Sequence, residues 1–393
     1  MHVIYRVALR FFLMSFYSIN NLSTDCILDN DEIRETAFSI IAMQTESGGI
    51  PKTIDGQIDP WNHLEAAMAL TAAGYFHEAK KSILWLADMQ NRGGFWYSAY
   101  NCQNETLDYT IDTNQCVYIA VAVLHYYLFT DDGDFLAKLW PTVIRATDFV
   151  ASMQRESGSI PWSIQANEFS DEGDTSFNPQ NRASLFAASC SVYHSFKAVS
   201  RLLCILEQAF ALREEFVGNI EVSIHDIRSM KERLTFALSA LQKSLTGYIQ
   251  NDASVYFGEY LDKNFYAMEY YYPLMTGLIS QETIDRAAAA EDIFILEDWG
   301  ARCLLEHDWF TTAETAEWAI AKACTGNIGY GESLLRSTYR HRLEDGSYLT
   351  GSVYPSAASF PDGERSSYSA AAVILANDVI SGGITKDIFT LSY

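Results

Sequence analysis

Apolar residues recur at helical spacing along almost the whole chain, from about Asp31 to Gly382. The pattern predicts helices over 31–44, 61–74, 77–90, 114–129, 134–154, 183–212, 224–246, 265–280, 283–306, 311–324, 328–341 and 365–381. They fall into hairpins. The segments between them are rich in Gly, Pro, Asn and Asp, and no Pro/Ser-rich linker divides the chain. The seventh stretch, EVSIHDIRSMKERLTFALSAL, is amphipathic with a charged outer face. The tenth, TAETAEWAIAKA, is apolar almost all round, as a helix covered on both sides should be.

A repeat is laid over this pattern. Met-Gln closes a helix at Met43-Gln44, Met89-Gln90 and Met153-Gln154, and TESGGIP, NRGGFW and RESGSIPW follow. Arg342–Tyr348, RLEDGSY, is a degenerate fourth copy. The glycines stop each helix by accepting left-handed backbone angles, and the next Ile, Trp or Tyr folds back over the helix pair. Trp162 and Tyr348 are expected at equivalent places in their copies, putting several aromatics on one rim. Stacked helical hairpins make either an open solenoid or a closed ring. Six close a ring well, so the expected fold is all-α, an (α/α)6 barrel of about twelve helices around a central cavity. Residues 25–393 are expected to form this single domain, and 1–24 an N-terminal extension.

Charge narrows the partners. The 393 residues are 49% hydrophobic and 13% aromatic, ample for a large core, and Asp plus Glu (50) exceed Lys plus Arg (27) for a net charge of −23. A nucleic-acid partner needs a basic footprint, so the field here excludes that class, and it disfavours anionic membranes. No run is long enough to span a bilayer. MHVIYRVALRFFLMSFYSI looks slightly like a signal peptide, but Arg10 interrupts its apolar stretch and no small-residue cleavage motif follows. The seven cysteines (Cys26, Cys102, Cys116, Cys190, Cys204, Cys303, Cys324) are odd in number, widely spread and without a CxxC pair. They read as free thiols in a reducing compartment, which places the protein in the cytoplasm.

Function in such a barrel should collect where loops enter the inner helices. Asp59-Pro60-Trp61-Asn62-His63-Leu64-Glu65 opens one of them, with Asp59 a good N-cap and Pro60 at the first helical position. His63 and Glu65 are adjacent to the apolar run AAMAL, so at least one should point into the cavity. Phe95-Trp96-Tyr97 either packs its turn or presents ring faces, as a platform for sugar stacking or a wall for carbocations. Asp112 and Asn114 precede another inner-type helix, where capping is the plain role of Asp112. Glu269 lies among Tyr266, Tyr270, Tyr271 and Tyr272, and walling by rings raises a carboxyl's pKa and suits it to donate a proton. Glu314 sits in the first turn of the most apolar helix, where the dipole favours its charge and suits it to act as a base, while Glu317 reads as a partner in a capping box. Glu364-Arg365 reads as a local ion pair. The acidic turns Asp131–Asp134 and Asp171–Asp174 read as surface loops. The chain has no HExxH, Walker A, GxGxxG, GxSxG or EF-hand loop, and no zinc spacing, so neither metal nor cofactor is expected.

The run FTDDGDFLAKLWP, continuing to ATDFV (129–150), resembles a hairpin common in six-hairpin glycosidases. The Met-Gln-Gly turns are similar to these and to turns of squalene cyclases and protein prenyltransferases. DPWNHLEAAMAL, YYYPLMTG, AETAEWA and GSYLTGSVYP together resemble a bacterial family commonly labelled "prenyltransferase". The resemblance covers about residues 30–382 and implies the toroid. The terpene-cyclase DxDD motif is absent, as is the zinc Asp-x-Cys pair with its later His, so a prenyl reading lacks its reactive centre. Glycoside hydrolysis needs two carboxylates and aromatic subsites, which are present.

The leading reading is therefore a carbohydrate-active enzyme, glycoside hydrolase-like, acting on a small-molecule or oligosaccharide substrate. In it Glu269 is the general acid and Glu314 the base. Asp59, His63, Glu65 and Asp112 hold hydroxyls, and Trp61, Trp96, Tyr97, Tyr271 and Tyr348 line the sugar. The alternatives are a terpenoid-cyclase-like or prenyl-handling protein, which requires a greasy and nearly dry cavity, and a non-catalytic toroid that binds a glycan or a protein.

Overall fold

The computed structural model describes residues 27–165, 182–250 and 259–391. The proposed extension, Cys26 and the Asp171–Asp174 turn lie outside these. Among the described residues twelve helices alternate between two rings. The outer helices are α1 (Asn30–Ile41), α3 (Phe76–Asp88), α5 (Gly133–Ala151), α7 (Ile224–Ile249), α9 (Gln281–Phe294) and α11 (Ile328–Ser337). The inner ones are α2 (Pro60–Ala72), α4 (Thr113–Val117, continuing as Ile119–Thr130), α6 (Phe186–Leu212), α8 (Met268–Met275), α10 (Thr312–Cys324) and α12 (Ser367–Ile380).

The division follows from sequence. Outer helices keep one charged face towards water, whereas α2, α4, α10 and α12 are buried nearly all round, because they are covered by an outer helix on one side and by the lumen contents on the other. Each inner helix packs on the next, and α12 returns to α2, so the ring is closed. The (α/α)6 barrel expected from the hairpin pattern is the observed fold.

The Met-Gln-Gly turns are the ring's fastening. Gln44 Nε2 donates to the Glu78 carbonyl of the next outer helix (3.0 Å), Gln90 Nε2 to that of Thr142 (2.9 Å) and Gln154 Nε2 to that of Ala237 (2.9 Å). Each also reaches the glycine carbonyl of its own turn. The turn glycines Gly48, Gly94, Gly158 and Gly346 all have positive φ. A Cβ on Gly94 would lie 2.3 Å from the Arg145 carbonyl oxygen, so glycine is needed for close approach as well as for backbone angle. In the fourth copy Arg342 replaces glutamine and donates to Glu35 of α1 (2.7 Å), fastening the last outer helix to the first.

Short strands ride on the loops that enter the inner helices. β1 (Ala99–Tyr100) pairs antiparallel with β2 (Thr106–Asp108), and β3 (Thr110–Asp112) with β4 (Ser163–Gln165). β5 (Ile295–Leu296) and β6 (Gly300–Ala301) form a hairpin, and β7 (Trp309–Thr311), β8 (Gly351–Val353) and β9 (Ala358–Ser359) a three-stranded sheet. β3 runs directly into α4 and β7 into α10, so the strands frame one mouth of the barrel. The opposite end is sealed by a last helix, α13 (Thr385–Phe389), whose Thr385 and Ile388 are fully buried. His125 of α4 bonds Thr385 Oγ1 (2.9 Å), and His194 and Lys197 of α6 reach the carbonyls of Ile388 (3.0 Å) and Leu391 (2.8 Å).

Two expected helices need correction. The stretch 283–306 is helical only over Gln281–Phe294 and then becomes the β5–β6 hairpin, because Asp298 and Gly300 adopt positive φ and the apolar run Ile293–Leu296 continues as strand. The stretch 265–280 is helical only over Met268–Met275.

Candidate active site

The inner helices all start at the strand-bearing mouth, and counting from their N-caps sorts the side chains by depth. Asp59, Asp112, Ala267 and Thr311 are the caps of α2, α4, α8 and α10. Trp61, Asn114 and Glu269 stand two residues further and Glu314 three, at the level of the rim. One turn deeper, six residues beyond their caps, stand Glu65, Tyr118 and Glu317, with Tyr272 five beyond its own.

Rings make the floor at this second level. Trp61 stacks on Tyr118 (centroids 5.4 Å apart, planes 28° apart) and meets Tyr272 at 5.5 Å. Tyr272 belongs to α8, three inner helices round the ring from α2, so this contact crosses the lumen. The floor carries two carboxyls. Glu65 Oε1 accepts from Trp61 Nε1 (2.6 Å) and from the Tyr118 hydroxyl (3.4 Å), and the Tyr271 hydroxyl donates to Glu317 Oε2. Burial pushes Glu65 up to about 7, against the opposing Trp61 bond and with help from Asp59. Glu317 is raised well above the carboxylate range by burial and then by the charges of Glu65 and Glu314. Glu65 and Glu317 lie on helices separated by α12, so their interaction too is made across the lumen.

At the rim, Glu269 is 2% exposed. Its Oε1 accepts the Ala187 amide (3.3 Å), and its Oε2 has no hydrogen-bond partner among the described residues. Burial raises it to about 7, with the Ala187 amide and Arg286 pulling the other way. On the opposite wall Asp59 accepts from Asn62 N (3.0 Å) and Asn62 Nδ2 (2.9 Å) and pairs with Lys52 (3.4 Å). This confirms its capping role and adds a cation beside its charge. Asp112 does not bond the helix amides: its Oδ2 takes Ser98 Oγ (3.1 Å) and Gln115 Nε2 (3.0 Å), and burial raises its pKa. Asp112 Oδ1 and Asn114 Oδ1, like Glu269 Oε2, are buried without a hydrogen-bond partner among the described residues. An unpaired buried polar group costs about 1–3 kcal/mol. These three, with Thr311 Oγ1 on the same rim, fit a site whose ligand completes them.

Other expected residues are placed elsewhere. Of the pair just before AAMAL, Glu65 faces the lumen and His63 faces away, between the rings. Its Nδ1 accepts the Ile50 amide (3.0 Å) and its Nε2 donates to the Ser82 carbonyl (3.0 Å), and burial lowers its pKa to about 4, so it is a neutral structural side chain. Trp96 is 1% exposed, donates to the Leu86 carbonyl (2.6 Å) and belongs to the core, as does Tyr348 at 0%. They follow their turn glycines by two residues, as Ile50 and Ile160 do, so Ile160 and not Trp162 is the equivalent in the third turn. Tyr97 is half-buried against Tyr109 (5.0 Å). Tyr271 is buried beneath the floor, where its hydroxyl holds Glu317. Glu314 is half-buried at the rim. Glu317 makes no capping box, since α10 has no side-chain cap. Arg365 pairs with Asp345 (2.6 Å) rather than with Glu364, which accepts from Thr350 (2.8 Å).

Tyr118 and the pairing of Glu65 with Glu317 were not anticipated; their signal is the shared offset of six from the helix caps. Among the described residues no group of three or more His, Cys, Asp or Glu side chains is arranged to hold a metal ion, and no helix is long and apolar enough to cross a membrane. A lumen carrying several carboxyls is also unlike the dry cavity an isoprenoid requires.

No protein-family model matches the chain. It is 30% identical over 357 residues (90% of this chain, 88% of the relative) to the MMP endo-(1,4)-3-O-methyl-alpha-D-mannosidase of Mycolicibacterium hassiacum. Similar solved structures include a wild-type glycosidase (TM-score 0.62, 10% identity, covering 90% of this chain and 96% of that one). Another is the GH63 mannosylglycerate hydrolase of Thermus thermophilus in complex with glucose (TM-score 0.58, 11% identity, 88% and 99%). A third is an alpha-amylase from Clostridium perfringens (TM-score 0.60, 8% identity, 91% and 99%). At these identities the structures attest the toroid fold.

Proposed function

The chain belongs to the family of the MMP endo-(1,4)-3-O-methyl-α-D-mannosidase and is a carbohydrate-active enzyme of glycosidase type; we propose that it hydrolyses an α-mannosidic bond in an O-methylated oligosaccharide, with inversion, at the strand-bearing mouth. Glu269 is the general acid. Its carboxyl remains substantially protonated near neutrality, and its unpartnered Oε2 is free to meet the glycosidic oxygen.

Asp59 is the general base. The sequence pattern pointed to Glu314 for this role, but Glu314 stands on α10, beside the helix that carries Glu269. Asp59 stands on α2, across the lumen. An inverting glycosidase needs its second carboxylate on the far face of the sugar, about 6.5–9.5 Å from the acid, with room for a water. Lys52 Nζ stands 3.4 Å from Asp59 Oδ2, a cation beside the carboxylate.

In the reaction Asp59 takes a proton from that water as its oxygen bonds to the anomeric carbon. The bond from that carbon to the leaving oxygen breaks, and Glu269 protonates the oxygen as it departs. Trp61 and Tyr272 offer the ring faces on which the pyranose rests, and Asp112 and Asn114 accept its hydroxyls.

The observation that carries the assignment is the buried carboxyl of Glu269, with one oxygen unpartnered among the described residues, on the wall opposite the ion-paired Asp59. The test is cleavage of an α-(1,4)-linked 3-O-methylmannose oligosaccharide by the wild type and by E269Q. Cleavage lost in E269Q supports the assignment. An inactive wild type refutes the substrate class, and a fully active variant refutes the role of Glu269.

We also take residues 25–393 as one domain working in the cytoplasm. Cys102, Cys116, Cys190, Cys204, Cys303 and Cys324 are all free thiols, which suits a reducing compartment.

A further inference from the structure

The indole N–H of Trp61, the hydroxyl of Tyr118 and, beneath the floor, the hydroxyl of Tyr271 are all spent on Glu65 or Glu317. A tryptophan at a rim ordinarily has freedom about its side-chain torsions. Here a 2.6 Å bond to a residue one helical turn away, together with the Tyr118 stack at 28°, leaves one orientation. We infer that Glu65 and Glu317 are positioning residues for glycoside binding: by holding the polar tips of Trp61, Tyr118 and Tyr271 they fix the orientation of the rings on which the sugar rests. The inference rests on the glycosidase reading and adds to it what sets the aromatic platform.

The device depends on protonation. The titratable groups acting on the pair are Asp59 on α2, Tyr118 on α4, Tyr271 and Tyr272 on α8 (the latter beside Cys190 of α6), and Glu314 on α10. Cys303 also lies beside Glu314 and Glu317, and Tyr368 of α12 beside Glu314. All of these are neutral or negative, so each added charge makes the next harder to place. Burial raises both carboxyls, and both can be charged only as the pH climbs past neutrality. Above that range the two repel across the lumen, the Trp61 acceptor shifts, and the platform loosens. Sugar binding should therefore weaken on the alkaline side.

The experiment measures binding of an α-(1,4)-linked 3-O-methylmannose oligosaccharide, and of its unmethylated counterpart, by calorimetry from pH 5.5 to 9. The E269Q enzyme is used so that cleavage does not intervene. E65Q retains an acceptor oxygen for Trp61 but cannot ionise, so its affinity should stay level where that of the parent falls. E65L removes the acceptor and should weaken binding of the methylated sugar about tenfold, with less effect in a W61F background. A near-UV circular dichroism titration of the free protein supplies a sugar-independent reading. The band lost in W61F should change across the same pH range in the wild type and stay constant in E65Q. An E65Q protein that titrates like the wild type, or an E65L protein that binds both sugars with parental affinity, overturns the inference. If neither sugar binds the wild type while the Trp61 band still titrates through Glu65, it is the substrate reading that fails and the coupling stands.

Discussion

Replacing Glu269 with Gln should remove activity and, at alkaline pH, stabilise the fold. Glu269 is 2% exposed, and burial lifts its carboxyl from 4.5 to about 7. A raised carboxyl pKa means that the folded state binds its proton more tightly than the unfolded chain does. The associated stability is complete below about pH 4.5 and is lost as the pH rises through about 7. Integrated to pH 8, the loss is about 3 kcal/mol. The neutral amide introduced by E269Q carries no such penalty. Urea denaturation should show wild type and E269Q of nearly equal stability at pH 4.5, with the variant ahead by about 3 kcal/mol at pH 8. The same substitution removes the proton donor, for which about a 10²–10⁴-fold loss in kcat is expected. The alkaline limb of the wild-type kcat/KM profile should fall near pH 7, where the donor ionises. A variant that is destabilised at pH 8, or that repeats the pH trend of the wild type, would show that Glu269 does not sit as a strained acid.

If Asp59 activates the water, D59N loses about 10²-fold or more in turnover whereas E314Q is affected far less, and proton NMR of the first product shows an inverted anomer; a retained anomer, or the opposite ranking, returns the base to Glu314. Gly94→Ala forces a Cβ to within 2.3 Å of the Arg145 carbonyl at φ +90° and should cost about 3 kcal/mol in denaturation. Gly74→Ala, at φ +84° with open space around it, should cost about 1 kcal/mol. Gln154→Ala frees the Gly158 and Ala237 carbonyls and should cost about 1–2 kcal/mol without changing KM.

The ring was legible because its signals are local. Each helix announces itself by spacing within its own residues, and the Met-Gln-Gly turns state where one hairpin leans on the next. The failures also have local causes. Ile293–Leu296 extends an apolar helix pattern into a strand, because nothing in its spacing anticipates the left-handed turn at Asp298 and Gly300. The candidate site was legible at its rim, since a cap declares which end of a helix it occupies and a carboxyl walled by rings stands out in the sequence: Asp59 was found in the first way and Glu269 in the second. The floor was not. His63 and Glu65 are two residues apart on one helix and point to opposite sides, and only ring closure decides which of them sees the lumen. Trp96 and Tyr348 shared the right motif but follow turns that fold over the helix pair, so the motif delivers them to the core.

The two ends of the lumen show why chemistry belongs at one of them. At the sealed end the buried ionisable groups face backbone carbonyls and a hydroxyl. Burial holds His125 and His194 neutral, with pKa values lowered to about 3, and depresses Lys197 to about 8. Their bonds to Thr385, Ile388 and Leu391 join α13 to the ring, and the second ring nitrogens, His125 Nδ1 and His194 Nδ1, are buried without a partner among the described residues but carry no charge. At the mouth the buried groups are carboxyls, whose unpartnered oxygens at Glu269 and Asp112 cannot be satisfied by more of the same. A neutral, hydroxyl-rich molecule supplies the missing donors without adding charge, and it tolerates a net charge of −23 that would repel an anion. Such a mouth destabilises the free protein, and a ring fastened helix to helix, from Gln44 round to Arg342, is a scaffold that can hold it open.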